Sequence, residues 1–161
     1  MGSAAPRQQL KRSVVEGFYK TQASRDPERI APFLDDDVEW SISGPVDLLC
    51  FCGIWRGKQA ALEIFTRLVP QVFDVIGFEQ DELLIDGESV ATLNRLSAIQ
   101  CATGRRISYR VAQFLRFRDG KIVNVRALLD SFNAAEQVLG YRITLAPDRL
   151  TRVNDSDLIA I

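Results

Sequence analysis

Histidine is absent from all 161 residues of the chain. That one gap removes the Ser-His-Asp and Cys-His nucleophile systems, His-ligated zinc or haem, and an imidazole proton shuttle near neutral pH. Any catalysis must therefore rest on carboxylates, Tyr, Arg, amides, Cys or Lys. Cysteine is sparse, an odd set of Cys50, Cys52 and Cys101. With no apolar signal-peptide core at the start, reduced thiols in a cytoplasmic setting are expected. Cys50-Phe51-Cys52 stands without a further Cys or His nearby and is no metal motif. No apolar run approaches the ~18–20 residues of a membrane span. Charge of one sign is not in excess either, with 20 basic against 21 acidic residues. A balanced chain with pI near 5.5 attracts neither nucleic acid nor an anionic membrane through its net charge. No Gly-rich phosphate loop, EF-hand, zinc pattern or nucleophile elbow occurs.

What is present is apolar bulk, 47% of the residues, in a chain long enough for one domain with a sizeable core. Residues 7–24 read as a helix with Leu10, Val14 and Phe18 on one face. Asp26-Pro27-Glu28 supplies an N-cap, a proline for the first turn and an acid beside the helix dipole, opening a short helix to about Leu34. Val38 to Ser43 alternates as a strand, and Gly44-Pro45 closes it. Residues 46–57 form an apolar loop or short strands, and a third helix starts at Lys58, with Pro70 expected to kink or stop it. From Val75 onward the period changes to four strands, 75–86, 89–101, 105–117 and 121–129, separated by turns at Asp86-Gly87, Thr103-Gly104 and Asp119-Gly120. Asp130 or Ser131 caps a last helix that Gly140 stops. Helices gathered at one end of an antiparallel sheet make an α+β fold.

Register decides which side chains face the interior. On 105–117 one face carries Ile107, Tyr109, Val111, Gln113, Leu115 and Phe117, and the other carries Arg106, Arg110, Arg116 and Arg118. A three-residue loop at Arg118–Gly120 would pair Phe117 with Lys121, set Gln113 against Val125 and Tyr109 against Leu129, and leave one apolar wall. A two-residue loop would turn Asn124 and Arg126 inward. The hairpin at Ala102–Arg105 is open: one loop length puts Asn94 inside opposite Gln113, another puts Arg95 and Ser97 inside. A buried glutamine without partners would cost about 1–3 kcal/mol, so Gln113 must be bonded to protein, water or a ligand.

The order of elements, with the segments FLDDDVEW, GIWRGKQAALEIF and VAQFLRFRDGKIVNVRALLDSFNAAEQVLG, resembles the SnoaL-like branch of the ketosteroid-isomerase and nuclear transport factor 2-like superfamily. The resemblance implies a cystatin-like α+β barrel, a cone-shaped curved antiparallel sheet wrapped around N-terminal helices. It implies a domain over 7–140 between a disordered N-terminus, 1–6, and a tail, 141–161, that packs across a partner or frays. It also implies an apolar pocket for a small organic ligand and a homodimer through the outer sheet face, with no cofactor, metal, nucleic acid or membrane.

The catalytic positions of that superfamily transfer poorly. In ketosteroid isomerases the general-base Asp falls on Ser41 or Ile42. The oxyanion-hole Tyr falls on Phe18 with Tyr19 adjacent, and the protonated Asp falls on Gln113. The final-strand acid of the epoxide-hydrolase and cyclase branches falls on Ala127, and their Arg-x-Asp pair reads Arg95-x-Ser97. Asp130 is the one carboxylate nearby. The expected ligand contacts are Gln113, Asn94, Trp40, Trp55, Phe18, Tyr19, Val111 and Ala127, with Asp130 or Tyr109 supplying any acid–base step. Two readings stand: a cofactor-free isomerase, cyclase or dehydratase acting on a carbonyl compound, or a non-catalytic ligand-binding or interaction module. An epoxide hydrolase is a third, weakened by Ala127.

Overall fold

The computed structural model describes residues 10–144. Residues 1–9 and 145–161 lie outside it, and with them the expected disordered start and most of the expected tail. Helix α1 (Arg12–Ser24) is followed by α2 (Pro27–Ile30), a 3-10 turn (Ala31–Phe33), and strands β1 (Leu34–Ser43) and β2 (Gly53–Arg56). Helix α3 (Lys58–Glu63) runs through a π-helical turn (Ile64–Leu68) into α4 (Val69–Val72). Strands β3 (Phe73–Asp86), β4 (Ser89–Gln100), β5 (Arg106–Arg118) and β6 (Lys121–Leu129) precede α5 (Ser131–Leu139). One six-stranded sheet results, ordered β2-β1-β6-β5-β4-β3, with β1 and β6 parallel and every other pair antiparallel. It is curved and unclosed, the cone-shaped α+β fold that the order of elements implies.

Local chemistry explains the elements. Asp26 caps α2 by accepting the Glu28 N–H at 3.0 Å, as its spacing predicts. The first helix starts at Arg12, with Val15 and Phe18 on its buried face. The acidic run Asp35-Asp36-Asp37 lies inside β1, where Asp35 meets Arg118 and Asp36 pairs with Lys58. Pro70 does not stop the third helix. Lacking an N–H, it cannot continue the ordinary ladder, and the chain widens ahead of it: the Val69 N–H reaches Ile64 O, five residues back. The Thr66 hydroxyl bonds Leu62 O at 3.0 Å inside the same turn.

The β5–β6 hairpin corrects the expected register. Its loop has two residues, Asp119 and Gly120, both at positive φ (50° and 76°), the left-handed pair that a type I′ turn needs. Arg118 pairs with Lys121 and Phe117 with Ile122, but Arg116 pairs with Asn124, leaving Val123 as a bulge. The extra residue reverses the alternation, so Ile122, Val125 and Ala127 all face inward despite the short loop. Gln113 therefore lies opposite Ala127, not Val125, and Leu129 pairs with Val111, not Tyr109. At the β4–β5 hairpin Gln100 N bonds Arg105 O across a four-residue loop, one position earlier than expected. Asn94 and Ala98 are buried and Arg95 points out. Asn94 sits opposite Val111, and it is Thr92 that sits opposite Gln113.

Candidate functional site

The inner face of the sheet carries a small polar cluster in an apolar wall. Among the described residues the buried polar side chains are Thr92, Asn94, Gln100 and Gln113, none of them charged. Alternation on β4 and β5 brings three of these together, and α1 delivers a fourth member, Tyr19. Tyr19 Oη lies 2.8 Å from Gln113 Oε1 and 3.0 Å from Thr92 Oγ1. Asn94 Nδ2 lies 2.8 Å from Thr92 Oγ1 and 3.4 Å from Gln113 Oε1. Donor counting fixes the direction of the chain of bonds. A carbonyl oxygen only accepts, so Tyr19 spends its one proton on Gln113, and the Thr92 hydroxyl must donate to Tyr19 Oη. Two buried atoms nearby on the inner face have no partner among the described residues, Asn94 Oδ1 and Tyr109 Oη. Each such atom costs about 1–3 kcal/mol unless something bonds to it.

Tyr19 also faces a cleft of about 230 Å3 between α1, the π-helical turn and strands β3 and β4. Its walls include Gln22, Phe65, Val69, Phe78 and Leu96, and the Tyr19 and Phe78 rings stack with centroids 6.2 Å apart. Phe65 comes from the widened turn ahead of Pro70, and Val69 directly follows it at the start of α4. Tyr19 is the one residue shared by cleft and cluster.

The site residues expected from sequence divide. Gln113, Asn94 and Tyr19 come together, while Val111 and Ala127 form the apolar wall beside them. Phe18 is fully buried in the core, so the helix presents Tyr19, the neighbour one position on, to the polar cluster. Trp40 packs between Phe18 and Phe65, and Trp55, its cross-strand partner, bonds Phe51 O through Nε1. Neither tryptophan lines the cleft. Tyr109 is buried against Phe73. Asp130 is not brought to the cluster: it is exposed at the N-terminus of α5, caps no backbone N–H with its side chain, and meets only the Asn133 amide at 3.5 Å. Sequence reasoning missed Thr92, Gln22 and Arg25. Thr92 was within reach, since it lies two residues from Asn94 on one strand and alternation puts both on one face.

The electrostatics keep this interior neutral. Burial pushes the Tyr19 hydroxyl up to about 12, with its hydrogen bond to Thr92 offsetting only part of that. Burial pushes Tyr109 up as well, and raises the Cys52 thiol to about 12. At neutral pH these groups hold their protons, so Tyr19 is a donor and not a base, and Cys52 is an unreactive thiol. Because the folded state holds the Tyr19 proton more tightly than the unfolded chain, its contribution is intact below pH ~10 and is lost as pH rises from ~10 toward ~12, at up to about 1.4 kcal/mol per pH unit. Urea unfolding across that window should show a steep alkaline loss in the wild type and a shallower one in Tyr19→Phe. Equal slopes would count against a buried, protonated Tyr19.

With this geometry in place, the comparisons give the chain its family. The SnoaL-like domain family matches residues 15–125. The chain belongs to that family, within the nuclear transport factor 2-like and ketosteroid-isomerase-like fold. A protein from Rhodopseudomonas palustris, provisionally named an isomerase, is 31% identical, with 78% of this chain and 93% of that one covered at a TM-score of 0.69. Two more distant structures share the fold alone. One is an epoxide hydrolase of the LEH-like type from M. tuberculosis (19% identity, 80% and 88% covered, TM-score 0.63). The other is a ketosteroid isomerase-like protein from Catenulispora acidiphila in complex with trimethylamine (12% identity, 86% and 100% covered, TM-score 0.69). No curated protein matches the chain.

Proposed function

We propose that the chain binds a small, mostly apolar organic molecule in the cleft beside Tyr19, and that the neutral cluster behind it bonds one carbonyl or hydroxyl of that molecule. The observation that carries this is the junction at Tyr19 of an apolar cleft with a buried amide and hydroxyl network. That network keeps an unpaired acceptor for a hydroxyl, Asn94 Oδ1, and a donor for a carbonyl, the Gln113 amide N–H groups, which bond no described residue. At about 230 Å3 the cleft lies below the ~300–1,000 Å3 of drug-sized sites, which favours a one- or two-ring molecule. The cluster contains no carboxylate, and its tyrosine keeps its proton. This favours binding, or polarisation of a carbonyl by hydrogen bonds, over proton abstraction by a side-chain base. Carbonyl-directed isomerisation is the second reading, favoured by the 31% identity to the Rhodopseudomonas protein. A thermal-shift screen of ring ketones, lactones and aromatic alcohols tests the site, since any ligand of the folded state raises Tm by mass action. Hits should lose affinity in Gln113→Leu, and unchanged affinity there would remove Gln113 from the site.

The chain is further proposed to act as a homodimer through the outer sheet face. Phe114 and Leu128 are 50% and 48% exposed there, beside Arg116 and Arg126 in a broad groove. Sedimentation should report a dimer in the wild type and a monomer in Phe114→Asp; a monomeric wild type would exclude it. A reducing, cytoplasmic setting agrees with the free state of all three cysteines. Among the described residues no helix is long and apolar enough to cross a membrane.

A further inference from the structure

The cleft has one charged wall residue, and nothing in the mechanism of binding described above uses it. Arg25 sits just past the end of α1 in the left-handed conformation (φ 55°) and reaches across to β3. Its Nη2 donates to Val75 O at 2.8 Å and lies 3.5 Å from Asp74 Oδ1. A guanidinium has five N–H donors in a rigid fork. Here Nη2 alone is engaged, so Nε and both N–H groups of Nη1 have no acceptor among the described residues. The side chain is 34% exposed, held by β3 and so partly desolvated. One turn back, Gln22 shares the same wall and keeps a buried side-chain oxygen without a partner. The other walls are Phe65, Val69, Phe78 and Leu96 around the Tyr19 ring.

We propose that Arg25 makes the rim of this cleft an anion subsite, and that the ligand class is a small aromatic or alicyclic carboxylate. The ring would lie against Phe78 and Phe65, and the carboxylate would accept from the free Nη1 N–H groups of Arg25. A hydroxyl or N–H next to the acid would satisfy Gln22. The inference rests on the cleft being the ligand site and adds the charge of what enters it. A carboxylate suits this guanidinium because a charge-assisted N–H bond to Nη1 is shorter and stronger than any that a neutral amide accepts.

The probes are 1-naphthoate and its uncharged counterpart 1-naphthamide, titrated calorimetrically into the full chain. Naphthoate should bind at least ~10-fold more tightly than the amide, the scale of a charge-assisted hydrogen bond. Its affinity should weaken at high salt while that of the amide holds. Arg25→Gln should weaken naphthoate by roughly 10-fold or more and leave naphthamide unmoved, and Arg25→Lys should restore part of the loss. Equal binding of the two probes, with no salt dependence, would overturn the anion subsite and leave the cleft standing. Failure of both probes to bind at roughly 1 mM would overturn the cleft itself. The salt comparison uses wild-type protein, so it decides even if Arg25→Gln fails to fold.

Discussion

Trp40→Ala is expected to destabilise the fold by about 3–5 kcal/mol, a fall in Tm of roughly 6–20 °C for a chain of this size. Trp40 is 1% exposed, the largest of the fully buried side chains. Its ring meets Phe65 edge-on at 5.1 Å and Phe18 at 6.2 Å, joining the first helix, the π-helical turn and the sheet. Truncation opens a cavity where those three elements meet, and strand, helix and turn cannot all close on it at once. Urea unfolding followed by the fluorescence of Trp55, the other tryptophan, measures the loss directly. Trp55→Ala should cost distinctly less, since Trp55 is only half-buried. A small effect at Trp40 would mean that helix, turn and strand can close on the space its ring leaves.

Much of the fold was legible because it rests on local chemistry. The alternation of β5 placed Tyr109, Val111, Gln113 and Leu115 on one face, and the structure buries all four. Asp26 marks a helix start through its side-chain oxygen and Gly140 a helix end through its left-handed backbone, and both do so here. Register was less legible, because a two-residue turn and an apolar wall looked incompatible. The bulge at Val123 reconciles them, and nothing in residues 121–125 distinguishes a bulge from a longer loop. The choice between Phe18 and Tyr19 also needed three dimensions. Adjacent helix positions differ by about 100°, so a small rotation of α1 decides which ring the sheet receives. Asp130 failed for a similar reason. Its place at the end of β6 suggested an interior acid, but the chain turns into α5 and leaves the carboxylate in water.

These placements bear on chemistry. A superfamily site built on an interior acid needs a carboxylate on the inner face, and the positions where one is expected hold Ser41 or Ile42, Gln113 and Ala127. Alternation on β1 buries Ile42 with Trp40 and turns Ser41 to the other face. Ser41 bonds Val125 O across the β1–β6 pair, Ala127 lies opposite Gln113, and Gln113 accepts from Tyr19. The Ser41 hydroxyl and the Gln113 oxygen are occupied in holding strands and helix together, while Asn94 Oδ1, Tyr109 Oη and the Gln113 amide N–H groups are left over among the described residues. The interior can therefore orient a polar group by hydrogen bonds, and it holds no side-chain base within the cluster to abstract a proton.

Gln113→Leu and Tyr19→Phe are each expected to cost about 1–3 kcal/mol, and together less than the sum. Leucine at position 113 strands one hydroxyl proton of the Tyr19–Thr92 pair, because only one of the two can donate across their bond. Phenylalanine at 19 leaves the Thr92 proton without its acceptor and Gln113 Oε1 with only the long bond from Asn94 Nδ2, 3.4 Å away. Each single change leaves a buried polar atom without a partner, whereas the double change removes both ends of the bond. The cost of removing both is therefore smaller than two separate losses, and a coupling of roughly 0.5–3 kcal/mol is the expected range for residues in one network. Urea unfolding of the four proteins at neutral pH gives that coupling. Strict additivity would mean that Tyr19 and Gln113 are satisfied independently, and the cluster would then lose its standing as a single preorganised set of donors and acceptors.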